Sequence, residues 1–89
     1  MITVSDEEIL EAMKSTARLG GVFGEPAGVT ASAGLKRALE KQIIKPGESA
    51  LVMVTGNGLK DIQSAKKAVG DPIGLAPTID ALMAALSSR

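Results

Sequence analysis

Ala50-Leu51-Val52-Met53-Val54 runs directly into Thr55-Gly56-Asn57-Gly58 and then Leu59-Lys60-Asp61. Five successive apolar residues are the pattern of a strand covered on both faces in a parallel sheet. Gly56 and Gly58 break that strand and permit close backbone approach. Asp61 is placed to cap a helix in which Ile62, Ala65 and Val69 share a face. This strand–loop–helix passage sets the fold class as α/β. Ligands of open α/β sheets bind at the carboxyl ends of strands, so Thr55 and the two glycines are candidate site residues. The spacing is not that of a phosphate-binding P-loop. By spacing alone, a plain strand-to-helix turn stays open as the simpler reading.

Upstream, Lys45-Pro46-Gly47-Glu48 is a turn. Before it, Pro26 begins a helix predicted to reach about Lys41, because its fixed φ suits a first helical position. Ala27, Ala31, Gly34 and Ala38 form a small-residue stripe on that helix, suited to close packing. Glu25, just ahead of Pro26, is a second candidate site residue; its simpler role is to face the helix dipole. Further upstream, Ser5 and Glu8 have capping-box spacing, and Ile9, Met13 and Thr16–Ala17 recur at helical spacing until Gly20-Gly21. Ile2–Val4 reads as a strand end. Downstream, Gly70-Asp71-Pro72 stops the third helix and Ile73 and Leu75 alternate like a short strand. Thr78 then caps a last helix with Ile79, Leu82, Met83 and Leu86 expected inward. The predicted order is β-α-α-β-α-β-α.

Composition narrows the function. Lys plus Arg equals Asp plus Glu at ten each, and Phe23 is the only aromatic residue. A nucleic-acid backbone is not matched by such a chain, and no bases would be stacked. Without His or Cys, the usual zinc sites and thiolate chemistry are excluded. The lack of Cys fits a cytoplasmic location, and no apolar run has membrane-spanning length. Thirteen alanines make the core thin, which argues for packing against further protein. No nucleophile–base pair can be assembled, so no catalytic residue is assigned.

Three motifs carry a family resemblance: Val-Ser-Asp-Glu-Glu-Ile at 4–9, Gly-Val-Phe-Gly-Glu-Pro-Ala-Gly at 21–28 and Val-Thr-Gly-Asn-Gly-Leu-Lys-Asp at 54–61. Their order and spacing resemble the C-terminal third of threonine synthase, a pyridoxal-phosphate enzyme that converts O-phosphohomoserine and water to threonine and phosphate. The resemblance implies a segment of a fold-type II (tryptophan synthase β-like) cofactor domain. It also implies that Thr55 offers its hydroxyl to the pyridine nitrogen, that Glu25 lies near the ring, and that Gly56 and Gly58 keep the site wall thin. A hydroxyl suits an unprotonated ring nitrogen, whereas Asp would favour a pyridinium.

The family's cofactor-anchoring lysine lies upstream, after a Ser-Phe or similar pair. None of Lys14, Lys36, Lys41, Lys45, Lys60, Lys66 and Lys67 has that context. The Gly-rich loop for the cofactor phosphate has no counterpart either. Residues 1–89 are therefore expected to be a single C-terminal segment of a larger cofactor-binding domain. The expected partner is the missing N-terminal part, with self-association when that part is absent. A dehydratase or cysteate synthase of the same fold is one alternative, and a free-standing, non-catalytic assembly module is another.

Overall fold

The computed structural model describes residues 1–88. Its elements are α1 (Asp6–Gly20), α2 (Pro26–Glu40), a 3-10 turn (Gly58–Lys60), α3 (Ile62–Val69) and α4 (Ile79–Ser87). All four expected helices form, with the expected signals at their ends.

At the start of α1, Ser5 Oγ accepts the Glu8 N–H at 3.2 Å, and Glu8 Oε2 accepts the Ser5 N–H at 2.7 Å. This is the capping box read from the sequence. The second oxygen of Glu8 lies 2.9 Å from Arg37 Nη1, so one carboxylate both caps α1 and ties it to α2. Gly21 ends α1 at φ 68°, a left-handed conformation that glycine adopts without a Cβ clash. Pro26 occupies the first turn of α2. Pro46 and Gly47 form the next turn, closed by Glu48 N–H donating to Lys45 O at 3.1 Å.

The core lies between α1 and α2. Met13 and Val29 are its largest fully buried side chains, joined by Ala12, Ala33 and Ala38. The buried face of α2 is Gly28, Val29, Ala33 and Ala38. This corrects the expected stripe, for Ala27 and Ala31 are exposed and Gly34 is only half-buried. Placing Val29 inward buries more apolar area than an all-small face would, and that decides the helix rotation.

The expected strands Ile2–Val4, Ala50–Val54 and Ile73/Leu75 are corrected as well: among the described residues none enters a ladder. One isolated antiparallel bridge joins Gly24 and Asn57. A strand exists through its neighbours, and its N–H and C=O groups must find partners outside the segment. Helices satisfy those groups internally, which is why they form here. The expected inward faces of α3 and α4 are open too: Val69 is 75% exposed and Ile79 is 78% exposed. Ser64, Ala65 and Ala68, rather than Ile62 and Val69, are the half-buried residues of α3. An open groove of about 750 Å³ runs between α1 and α3, lined by Met13, Leu19, Phe23 and Val69 among others. None of the four candidate site residues lines it.

Asp61 caps α3 as expected, taking the Ser64 N–H at 3.0 Å and the Ser64 hydroxyl at 2.7 Å. The Ser64 hydroxyl first, and its backbone N–H second, hold the Asp61 carboxyl below the usual aspartate range. A depressed folded-state pKa means that the contribution is present above the unfolded value and is lost as pH falls through the folded one. The Ser64 amide resonance is therefore expected to move toward its coil position as pH falls below the ordinary aspartate value of about 4. In Asp61→Asn that movement should vanish while the cap persists. An unchanged pH response in the variant would assign the transition to another group.

Candidate cofactor-facing site

The Gly24–Asn57 bridge builds the site. Glu25 N–H donates to Gly56 O at 2.9 Å, and Gly58 N–H donates to Phe23 O at 2.9 Å. These bonds pin the loop that enters α2 against the loop that follows Val54. The first turn of α2 then sits directly on the second loop. A Cβ on Gly28 would lie 2.7 Å from Gly56 N and 3.3 Å from Thr55 N. Only a residue without a side chain admits that approach.

The Glu25 carboxylate lies across Gly56, in the space that a Gly56 Cβ would need. It makes no capping hydrogen bond to α2, although Glu25 is the N-cap residue. Its partner is Lys60, with Nζ 3.7 Å from Oε1. Glu25 therefore caps α2 by no hydrogen bond, and its charge stands at the helix N-terminus beside Lys60. The carboxylate points back over the Thr55-Gly56 backbone and is about three-quarters covered, while Lys60 is largely exposed. An exposed cation at that distance contributes little stability, at most about 1 kcal/mol, so its effect is on where the carboxylate points.

Thr55 is exposed and lies outside every helix, immediately before buried Gly56. Its hydroxyl takes part in none of the side-chain hydrogen bonds among the described residues, whereas Thr16 and Thr30 return theirs to helix carbonyls. Asn57 Oδ1 accepts the Leu59 N–H at 2.8 Å and starts the 3-10 turn that carries Lys60 back toward Glu25. The Phe23 ring occupies the space over Gly58. All four candidate residues, Thr55, Glu25, Gly56 and Gly58, thus meet in one place. Sequence reading missed Gly28 and Lys60. The Glu-Pro-Ala-Gly spacing, which puts Gly28 in the first helical turn, was the available signal for the former. Nothing local points Lys60 toward Glu25.

Among the described residues no three His, Cys, Asp or Glu side chains converge as a metal site would require. No described helix is long and apolar enough to cross a membrane.

Residues 1–56 match the profile of the pyridoxal-phosphate dependent enzymes, and the chain belongs to that family. Its cofactor in the complete enzyme is pyridoxal phosphate. Among curated proteins the chain is similar to the threonine synthase of Methanocaldococcus jannaschii, with 49% identity over 70 residues, 79% of this chain and 17% of the relative. The threonine synthase of Mycobacterium tuberculosis is 46% identical over 66 residues, 74% of this chain and 18% of its own. That of Methanosarcina acetivorans is 37% identical over 87 residues, 98% of this chain and 22% of its own. The chain thus spans about a fifth of the curated relatives it matches.

The residues present fit one edge of the cofactor. Thr55 offers an exposed, unengaged hydroxyl, and Gly56, having no Cβ, lets the Glu25 carboxylate lie beside it. The one lysine here among the described residues, Lys60, is engaged with Glu25.

Proposed function

We propose that residues 1–89 form the C-terminal segment of the cofactor-binding domain of a threonine-synthase-like lyase, which converts O-phosphohomoserine and water to threonine and phosphate in the cytoplasm. The juxtaposition of Thr55, Gly56 and Glu25 carries this reading, together with the similarity to threonine synthases across most of the chain. Pyridoxal phosphate, when bound, supplies the electron sink for the reaction. Thr55 donates its hydroxyl hydrogen bond to the ring nitrogen and leaves that nitrogen unprotonated. Glu25, aimed by Lys60, lies beside the ring. Gly56 and Gly58 bring the backbone close and exclude water from that edge. In the assembled domain, Ile2–Val4, Ala50–Val54 and Ile73/Leu75 become strands in the order read from the sequence.

Taken alone, the segment is inactive and self-associates through its exposed apolar side chains. Incubation with pyridoxal phosphate followed by borohydride reduction is expected to leave scattered, substoichiometric labelling over the seven lysines. A stoichiometric adduct at one lysine would overturn the inactive-segment reading. Replacing the matching region of the Methanocaldococcus jannaschii enzyme with this chain is expected to retain threonine release from O-phosphohomoserine. A soluble, cofactor-loaded chimera that releases a keto acid instead would move the assignment to a dehydratase.

A further inference from the structure

We propose that Lys60 is a positioning residue that acts through Glu25: its cation makes the Glu25 carboxylate part of a net-neutral pair, so that the ring nitrogen facing Thr55 stays unprotonated. The identity of the group facing Thr55 rests on the functional reading above; the pairing of the two charges rests on geometry alone.

Both charges stand on one anchored base. Glu25 N–H donates to Gly56 O at 2.9 Å, and Gly58 N–H donates to Phe23 O at 2.9 Å. The 3-10 turn starts at that second anchor. Asn57 Oδ1 accepts the Leu59 N–H at 2.8 Å, Asn57 O accepts the Lys60 N–H at 3.0 Å, and Gly58 O accepts the Asp61 N–H at 3.3 Å. The backbone at Lys60 is thus fixed relative to the backbone at Glu25, and only side-chain torsions remain to be set. Lys60 Nζ then reaches to 3.7 Å from Glu25 Oε1.

No other cation is placed to do this. Between residues 22 and 35 the only charged side chain is Glu25, and between 50 and 61 the only ones are Lys60 and Asp61. The Asp61 carboxylate is engaged by Ser64. Of the lysines on α3, which packs against the 3-10 turn, Lys66 lies 3.9 Å from Asp71 and Lys67 acts on Asp61. Lys36 and Arg37 lie about 15 Å along α2 from Pro26, beyond a Debye length of about 8 Å.

The chemistry of Thr55 needs such a neutral pair. The Glu25 carboxylate lies over Gly56, the next residue after Thr55, and is about three-quarters covered. An opposite charge within about 4–6 Å favours the charged form of a base, so an uncompensated carboxylate here favours a protonated ring nitrogen. A protonated nitrogen has no lone pair to accept the Thr55 hydroxyl. The carboxylate also competes for that hydroxyl, because an ionised acceptor is the stronger one. A cation on the carboxylate weakens both effects and leaves the carboxylate where it is. Lys60 is largely exposed, so the pair adds little to folding stability, and this separates an electrostatic role from a structural one.

Two measurements decide the matter. In the 89-residue chain, Lys60→Met is expected to leave the thermal midpoint unchanged and to release the Glu25 side chain, read as averaging of its Hα–Hβ couplings. Lys60→Arg should keep one rotamer. Unaltered couplings in Lys60→Met overturn the proposal, since no pairing then exists. The second measurement uses the chimera with the Methanocaldococcus jannaschii enzyme, loaded with pyridoxal phosphate isotope-labelled at the ring nitrogen. The nitrogen resonance is expected at its unprotonated position at neutral pH. Lys60→Met should raise the proton affinity of that nitrogen roughly 10-fold, and Lys60→Arg should not. Adding Glu25→Gln to Lys60→Met should restore the original affinity, because no uncompensated charge is left. A structural role for Lys60 would not be reversed by that second substitution, so failure to restore overturns the proposal. A nitrogen resonance that moves in Thr55→Val but not in Lys60→Met overturns it too and leaves the functional reading standing. A resonance that moves in neither variant, or a chimera that holds no cofactor, sinks the functional reading and this proposal with it.

Discussion

Gly28→Ala is expected to lower the unfolding midpoint of the chain and to displace Thr55, although alanine is the better helix former. Two effects compete. Replacing glycine by alanine in a helix gains at most about 1 kcal/mol in backbone entropy. The new methyl would lie 2.7 Å from Gly56 N, 3.1 Å from Gly56 O and 3.3 Å from Thr55 N. All three are backbone atoms, and Gly56 O is itself held by the Glu25 N–H, so no side chain can rotate away. Overpacking of this kind costs about 1–3 kcal/mol and wins. Gly34→Ala is the control. Gly34 also lies within α2, but a Cβ there meets nothing within 4 Å. The same substitution should therefore raise stability by about 0.5–1 kcal/mol. Thermal unfolding at matched concentration, followed by circular dichroism, compares the two. Stabilisation by both variants would show that α2 does not rest on Gly56.

Thr55→Val, placed in the chimera with the Methanocaldococcus jannaschii enzyme, is expected to reduce turnover roughly 10-fold to 100-fold. Valine keeps the shape of threonine and its preference for extended backbone, so folding should change little. It removes the hydroxyl, which has no partner among the described residues and hence no structural work to lose. The proposed partner is the ring nitrogen. A neutral hydrogen bond contributes about 0.5–1.5 kcal/mol, and an unpaired buried acceptor adds about 1–3 kcal/mol of penalty. The cofactor absorption spectrum should shift along with turnover, and Thr55→Ser should restore both. Unchanged kinetics and spectrum in Thr55→Val would remove Thr55 from the site.

The helix ends were legible because their causes are local. Ser5 with Glu8, Gly21, Pro26, Asp61 and Thr78 each act within three or four residues, and each appears where its chemistry placed it. The candidate site was legible as a position, since a glycine-broken apolar run marks a strand end. Its construction was not. That the Glu25 carboxylate lies over Gly56 and meets Lys60 depends on how two loops 30 or so residues apart cross.

By itself, the sequence determined the four helices, their caps, the turn at Pro46-Gly47 and the place of Thr55 after an apolar run. Those features follow from short-range backbone hydrogen bonds and side-chain caps, which need no distant partner. The tertiary structure alone decided which face of α2 is buried, that Gly28 rather than Gly34 is the close approach, and that the Glu25 carboxylate lies over Gly56 beside Lys60. It also decided that residues 50–55 keep their alternation without their ladder. An apolar run states only that a strand wants neighbours; the hydrogen bonds that make it one lie on other segments.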